Sequence, residues 1–391
     1  MNQVYIIEAL RTPFGSFGGT LADVPATELA ATVARALIER SGIDPATLNQ
    51  FIAGQVVPAG CGQAPGRIAM RKAGIPDTVP AMAINKACGS GLKSMMLVAD
   101  GIRLGEDHLG IAGGMENMSQ YPYALLDARF GMRMGHSQAI DLLLHDGLLD
   151  PYSGKHMGEI TEKAIADQGI SREIQDEYAI SSYKRAQAAA ARGFHAKEIV
   201  PVVKSTRKGD VIIDADEEPS RVNFETFHEL RPAFKKDGTV TAANASTISD
   251  GAAFALLASE AACAKHGLKP KARMIAYATN SLHPDQFPVA PIGAIERVCA
   301  KANITLDQID LFEVNTAFSA VALMSVNRLK LDRSKVNING GAISIGHPVG
   351  ASGGRLVATL LNALEETGGR YGLTTLCIGG GEAVAAIFEK V

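Results

Sequence analysis

Near each end of this 391-residue chain the same order of signals occurs. A strand-like apolar run leads into a turn rich in glycine and serine. The turn opens a long helix, and a further strand ends in glycines. In the first copy the turn is Cys88-Gly89-Ser90-Gly91; in the second it is Gly350-Ala351-Ser352-Gly353. Strands separated by helices predict a mostly parallel sheet. The repeated plan predicts an α/β chain of two related halves. Expected strands are 4–8, a buried 81–85, 108–112, 311–314, 336–339 and 374–378. Expected helices are 27–40, 89–104, 171–191 and 350–366. Leu29, Val33, Leu37 and Ile38 share one face of helix 27–40, which Ser41-Gly42 stops. Ser171 and Glu173 open helix 171–191. Between about 119 and 239 strand signals thin while methionine, tyrosine and charge increase, as in an insertion resting on the first half. The expected units are 1–118 continued by about 243–268, an inserted loop domain 119–242, and 269–391.

A chain of this length buries roughly 75% of the surface its unfolded form exposes, so no disulfide or metal staple is needed. Hydrophobic residues at 47% and charged residues at 20% describe an ordinary globular chain. A net charge of −3 without a basic block argues against binding nucleic acid through phosphate neutralisation. No apolar run is long enough to span a membrane. The opening residues read as a strand, not a signal peptide. The last four, Phe388-Glu389-Lys390-Val391, are no peroxisomal address. A cytoplasmic location is expected. The five cysteines, Cys61, Cys88, Cys263, Cys299 and Cys377, are odd in number and scattered. That argues against a disulfide framework and against paired zinc ligands.

Cys88 follows an expected strand and precedes a helix. The helix dipole and free N–H groups there are expected to lower its pKa, and the turn's N–H could hold an oxyanion. A buried small hydrophobe is the competing reading. Cys377 ends the last expected strand before Gly379-Gly380-Gly381, where backbone approaches a ligand or a core cysteine simply sits. His347 precedes Pro348 and is held extended, so its ring is aimed by the turn and could serve a thiol as base. His156 is a second histidine candidate. The others are expected on the surface. Asn315 closes strand 311–314 and could orient a water or a carbonyl oxygen. No dinucleotide fingerprint, P-loop or HExxH is present, so nucleotide-fold and metal readings lack support.

Cys88, Asn315, His347 and Cys377 in their four motifs resemble the thiolase superfamily over nearly the whole chain. Arg11-Thr12-Pro13-Phe14-Gly15, Asn244-Ala245-Ser246 and Ser249-Asp250-Gly251-Ala252-Ala253 resemble its other signatures. Gly113 to Ser119, His156-Met157-Gly158 and the run after Cys88 resemble the acetyl-CoA acetyltransferase (acetoacetyl-CoA thiolase) branch. The resemblance implies the thiolase fold, two duplicated α/β halves in five αβαβα layers around the inserted loop domain. It implies ping-pong acyl transfer, with Cys88 as nucleophile and His347 as its base. Cys377 handles the second proton, Asn315 holds a water, and Cys88 and Gly379 supply oxyanion N–H groups. Coenzyme A thioesters are substrates, with no metal and no cofactor. The resemblance implies that His156, Met157, Phe234, Ala242, Ser246, Ile248, Ala317 and Phe318 line the pantetheine tunnel. Arg221 contacts the coenzyme, and Met157 with Phe287 closes the acyl end. Residues 119–141 resemble a loop that joins two dimers into a homotetramer. The family's Asn-Glu-Ala-Phe is here Asn315-Thr316-Ala317-Phe318, and loss of that carboxylate is expected to loosen Asn315. Competing readings are a 3-ketoacyl-CoA thiolase of broader chain length and a non-catalytic acyl-CoA-binding scaffold. A decarboxylating ketosynthase relative would expect a Cys-His-His set instead.

Overall fold

Strand β1 (Val4–Arg11) buries most of its side chains and lies at the middle of one ten-stranded sheet. The structure, a computed structural model, describes residues 2–391. The remaining strands of the sheet are β2 (Gly15–Ser16), β3 (Gln50–Gly54), β4 (Ala81–Ile84), β5 (Leu109–Asn117), β10 (Ser249–Ser259), β11 (Ala272–Ser281), β12 (Leu311–Val314), β13 (Tyr371–Ile378) and β14 (Glu382–Lys390). Two hairpins stand apart, β6 (Tyr123–Ala124) with β7 (Ile140–Asp141) and β8 (Val202–Thr206) with β9 (Gly209–Ile213). The helices are α1 (Ala26–Ser41), α2 (Pro65–Lys72), α3 (Ser90–Leu104), α4 (Met157–Gln168), α5 (Arg172–Ala191), α6 (Glu260–His266), α7 (Ala290–Ala302), α8 (Ser319–Leu329), α9 (Ala342–Ile345) and α10 (Ser352–Thr367).

The sheet runs β12-β13-β14-β11-β1-β10-β5-β3-β4, with β2 beside β10. It contains the repeat. In the first half β1 pairs antiparallel with β10, β10 antiparallel with β5, and β5 parallel with β3. In the second half β11, β14, β13 and β12 repeat that pattern. The halves join through a short antiparallel pairing of Tyr5 with Arg273 and Ile6 with Ala272. Helices α3 and α10 pack on each other, α3 against the first half's strands and α10 against strands of both. Leu92, Met95 and Leu360 there meet Ile52, Leu257, Leu376 and Phe388. Helix α1 covers the outer face of the first half, where Leu29 and Val33 cluster with Phe254. Helices α7 and α8 cover that of the second, where Val298 and Leu323 cluster with Ile387. Five layers result, αβαβα.

Three expectations are corrected. The sheet is not mostly parallel: only β3–β4, β3–β5 and β12–β13 are parallel. Strands β13 and β14 are linked by three glycines, and so short a link returns the chain antiparallel. The strand expected at 81–85 is not buried, because β4 has only one neighbour, and Met82 is 49% exposed. Residues 336–339 form no strand. Asn337 adopts φ +49° there, and its side-chain amide bonds the edge of β12. Its Oδ1 accepts from Val314 N at 2.8 Å and its Nδ2 donates to Val314 O at 2.9 Å.

Between β5 and β10 lies the segment with few strands. Ser171 caps α5 by accepting from Ile174 N. Buried Arg11 of β1 holds this segment. It donates to Glu198 at 2.7 Å and to both oxygens of Asp216, at 2.6 and 2.8 Å. His195, expected on the surface, is buried beside Glu198, 3.2 Å from its Oε1. Among the described residues no helix is long and apolar enough to cross a membrane.

Candidate active site

The turn that carries Cys88 is held by its neighbours' side chains. Asn85 Oδ1 accepts from Ala87 N at 2.8 Å, and Ala87 sits at φ +42°. Ser90 Oγ accepts from Lys86 N and donates to Ala87 O at 2.7 Å. Cys88 is thereby set before the first turn of α3, as the Gly-Ser-Gly run indicates. The expected fall in its pKa does not occur. Burial pushes the thiol up to about 11, and the N–H groups of Gly379 and of Cys88 itself only partly oppose this. A desolvated thiolate costs more than one helix end returns.

His347 hangs on three contacts. Its backbone N donates to Ser249 Oγ at 3.1 Å. Its Nδ1 lies 2.5 Å from Ser352 Oγ, whose hydroxyl donates to Pro348 O at 2.9 Å. With that proton committed to Pro348, Ser352 accepts from Nδ1–H. Nε2 is then left bare and accepts from Asn315 Nδ2 at 3.3 Å. Burial, with the charge of Arg355 added, pushes His347 down to about 3. The ring is therefore neutral and able to take a proton at Nε2.

Asn315 follows β12, and its N donates to Thr375 O on β13 at 2.9 Å. Val314 before it is held on the other side by Asn337. Thr316 turns its hydroxyl away to accept from Ile343 N at 3.3 Å. Asn315 is thus placed through its own N–H and through Val314 before it, while its Oδ1 is buried without a protein partner among the described residues. Cys377, next to last in β13, is 1% exposed, its thiol raised well above the usual range by burial and then by Cys88.

Cys88, His347, Cys377 and Gly379 open onto one cavity of about 630 Å³. Every residue expected to contact the coenzyme lines it too: His156, Met157, Arg221, Phe234, Ala242, Ser246, Ile248, Phe287, Ala317 and Phe318. Asn315 stands behind His347, outside the lining. His156 forms wall: its Nδ1 accepts from Gly158 N, capping α4, and its ring stacks on Phe234 with centroids 4.6 Å apart. Arg221 is about half exposed and pairs with Glu217 at 3.2 Å. Two expected signatures meet where Ser246 N donates to Ala317 O at 2.8 Å. Phe17, Gly147, Leu148, Glu218 and Val349 also line the cavity and were missed from sequence. Asn337 was missed as well, and the contacts of Ser249 and Ser352, though both stand in quoted motifs, were not foreseen. For Ser249 and Asn337 the contact depends on a partner distant in the chain or on an unusual backbone angle, which residue type does not announce.

A cavity-facing nucleophile, a neutral imidazole, a second thiol and converging N–H groups are the parts of thiol-based acyl transfer. The thiolase N-terminal domain family matches residues 4–261, and the thiolase C-terminal domain family matches residues 268–390. A probable acetyl-CoA acyltransferase of Staphylococcus aureus (strain bovine RF122 / ET3-1) is 46% identical, each chain covered in full. Its counterpart in strain NCTC 8325 / PS 47 is 45% identical over the same span. The crystal structure of the Bacillus anthracis acetyl-CoA acetyltransferase superposes with a TM-score of 0.97 at 37% identity, covering 100% of this chain and 99% of that one. The chain belongs to the thiolase family, a class of acyltransferases.

Proposed function

We propose that this chain is an acetyl-CoA C-acetyltransferase. It condenses two acetyl-CoA molecules to acetoacetyl-CoA and free coenzyme A, and it catalyses the reverse thiolysis. The observation that carries this reading is the gathering of Cys88, Cys377, His347 and the Gly379 backbone on one cavity. Both reacting groups rest neutral, so proton transfer from Cys88 to His347 Nε2 accompanies attack on the thioester. Coenzyme A leaves as the protonated thiol, and an acetyl group stays on Cys88. Cys377 then passes its proton to His347 Nε2 and, as thiolate, removes a methyl proton from a second acetyl-CoA. The enolate oxygen is held by His347 and by a water on Asn315. The carbanion attacks the acetyl carbonyl while the N–H groups of Cys88 and Gly379 hold its oxyanion. Collapse releases acetoacetyl-CoA, and the Cys88 sulfur takes its proton back from His347.

Met157 and Phe287 close the acyl end, which favours short chains; Phe287 is 3% exposed. The S. aureus relatives, described as acyltransferases, favour a second reading, a 3-ketoacyl-CoA thiolase of broader range. Thiolysis rates on acetoacetyl-CoA against ketoacyl-CoA esters of eight carbons or more separate the two. The four-carbon substrate is expected to be faster, and preference for the long ones overturns the choice. The three cysteines outside the site carry no bridge, which suits the cytoplasm, where we place the reaction.

A further inference from the structure

Glu116, in β5, is completely buried and lies outside the cavity lining. Its carboxylate accepts from three backbone N–H groups on two separate loops. Oε2 takes Val56 N at 2.8 Å and Gly350 N at 3.0 Å, and Oε1 takes Val57 N at 3.3 Å. Each loop leads to a reacting group. On one side Val56 O accepts from Asn85 Nδ2 at 3.0 Å, and Asn85 Oδ1 holds Ala87 N beside Cys88. On the other, Gly350 sits between His347 and Ser352, the residue that orients the imidazole. The Gly350 turn is pressed tightly into place. A Cβ on Gly350 would lie 2.5 Å from Glu116 Oε2, one on Gly91 would lie 2.8 Å from Gly350 O, and one on Gly114 would fall on that same oxygen.

We propose that Glu116 is a positioning residue that sets the register of the Cys88 turn against the His347 turn. It touches neither substrate nor the reacting atoms. A single carboxylate oxygen shared by Val56 and Gly350 couples two turns that come from opposite ends of the chain. Converging N–H donors need an acceptor oxygen, and Oε2 alone serves both loops. Loss of that acceptor leaves buried donors unpaired, and each such group relaxes toward another partner. The nucleophile and base then drift apart while the cavity walls stay in place.

The proposal rests on the thiolase reading, and the test separates the two. Wild-type enzyme must first cleave acetoacetyl-CoA with coenzyme A; failure there is failure of the function, not of this inference. Glu116→Met keeps the length and removes every acceptor. Asn85→Ala cuts only the link to the Cys88 turn and lies on an exposed segment, so it reports even where Glu116→Met does not fold. Both are expected to lower kcat about tenfold or more with KM within about twofold. Both should also slow alkylation of Cys88 by iodoacetamide, a readout that needs no substrate. Glu116→Gln keeps one oxygen for the position shared by Val56 and Gly350 and is expected to recover most of the rate. Wild-type kcat in a folded Glu116→Met or in Asn85→Ala overturns the proposal. So does an activity loss that tracks the folded fraction alone, with alkylation per folded molecule unchanged.

Discussion

At Cys88 the decisive residue-scale quantity is desolvation. Burial lifts the thiol to about 11 and lowers His347 to about 3, so both are neutral across the range between. Thiolate fraction then grows with pH all the way toward the upper value. Alkylation of Cys88 in the free enzyme is therefore expected to accelerate continuously between about pH 7 and pH 10. Following its rate by mass spectrometry checks this; a plateau below about pH 8 would instead mean a preformed thiolate–imidazolium pair. Cys377 is raised further still, which suits a group that must hold a proton until the carbanion step. The identities of Cys88, Cys377 and His347 were legible because each stands at a glycine-marked break beside a strand or helix. Their protonation was not, because it depends on burial by residues far along the chain. The Ser249 that holds His347 N lies 98 positions away.

Asn337 shows the limit at the element scale. The alternation around 336–339 predicts a strand, and the chain instead offers one side-chain amide to the edge of β12. Removing it leaves the N–H and C=O of Val314 unpaired inside the core, at about 1–3 kcal/mol each. Alanine at φ +49° adds roughly another 1 kcal/mol. Asn337→Ala is accordingly expected to lower the urea midpoint by an amount equivalent to about 2 kcal/mol or more. An unchanged midpoint would show that the amide contributes nothing net. Elements marked by caps were easier to read. Helix α5 begins after Ser171 as expected, and α1 ends at Gly42 in the left-handed region. Strand direction was harder. Hydrophobic pattern carries no sense of direction, and the short glycine link between β13 and β14 was read as a ligand loop without its topological consequence.

On the scale of the whole molecule the internal repeat becomes the site. The two glycine- and serine-rich turns that first suggested duplication open α3 and α10, and these helices lie together in the central layer. A Cβ on Gly91 would come 3.1 Å from Gly354 N, so the turns touch backbone to backbone. Cys88 and His347 meet because the halves meet. The segment 119–141 exposes Tyr123, Leu126, Phe130 and Met134, an apolar set that a lone protomer would leave in water. We expect a homotetramer by light scattering, and Phe130→Ser with Met134→Ser is expected to reduce it to smaller assemblies. A wild-type monomer would contradict that reading.

Intact-mass spectrometry after incubation with acetyl-CoA tests the central claim, that two thiols share the work unequally. One adduct of about 42 Da, a single acetyl group, is expected on the wild type and on Cys377→Ala, and none on Cys88→Ala. No adduct on the wild type, or one that persists on Cys88→Ala, would contradict it.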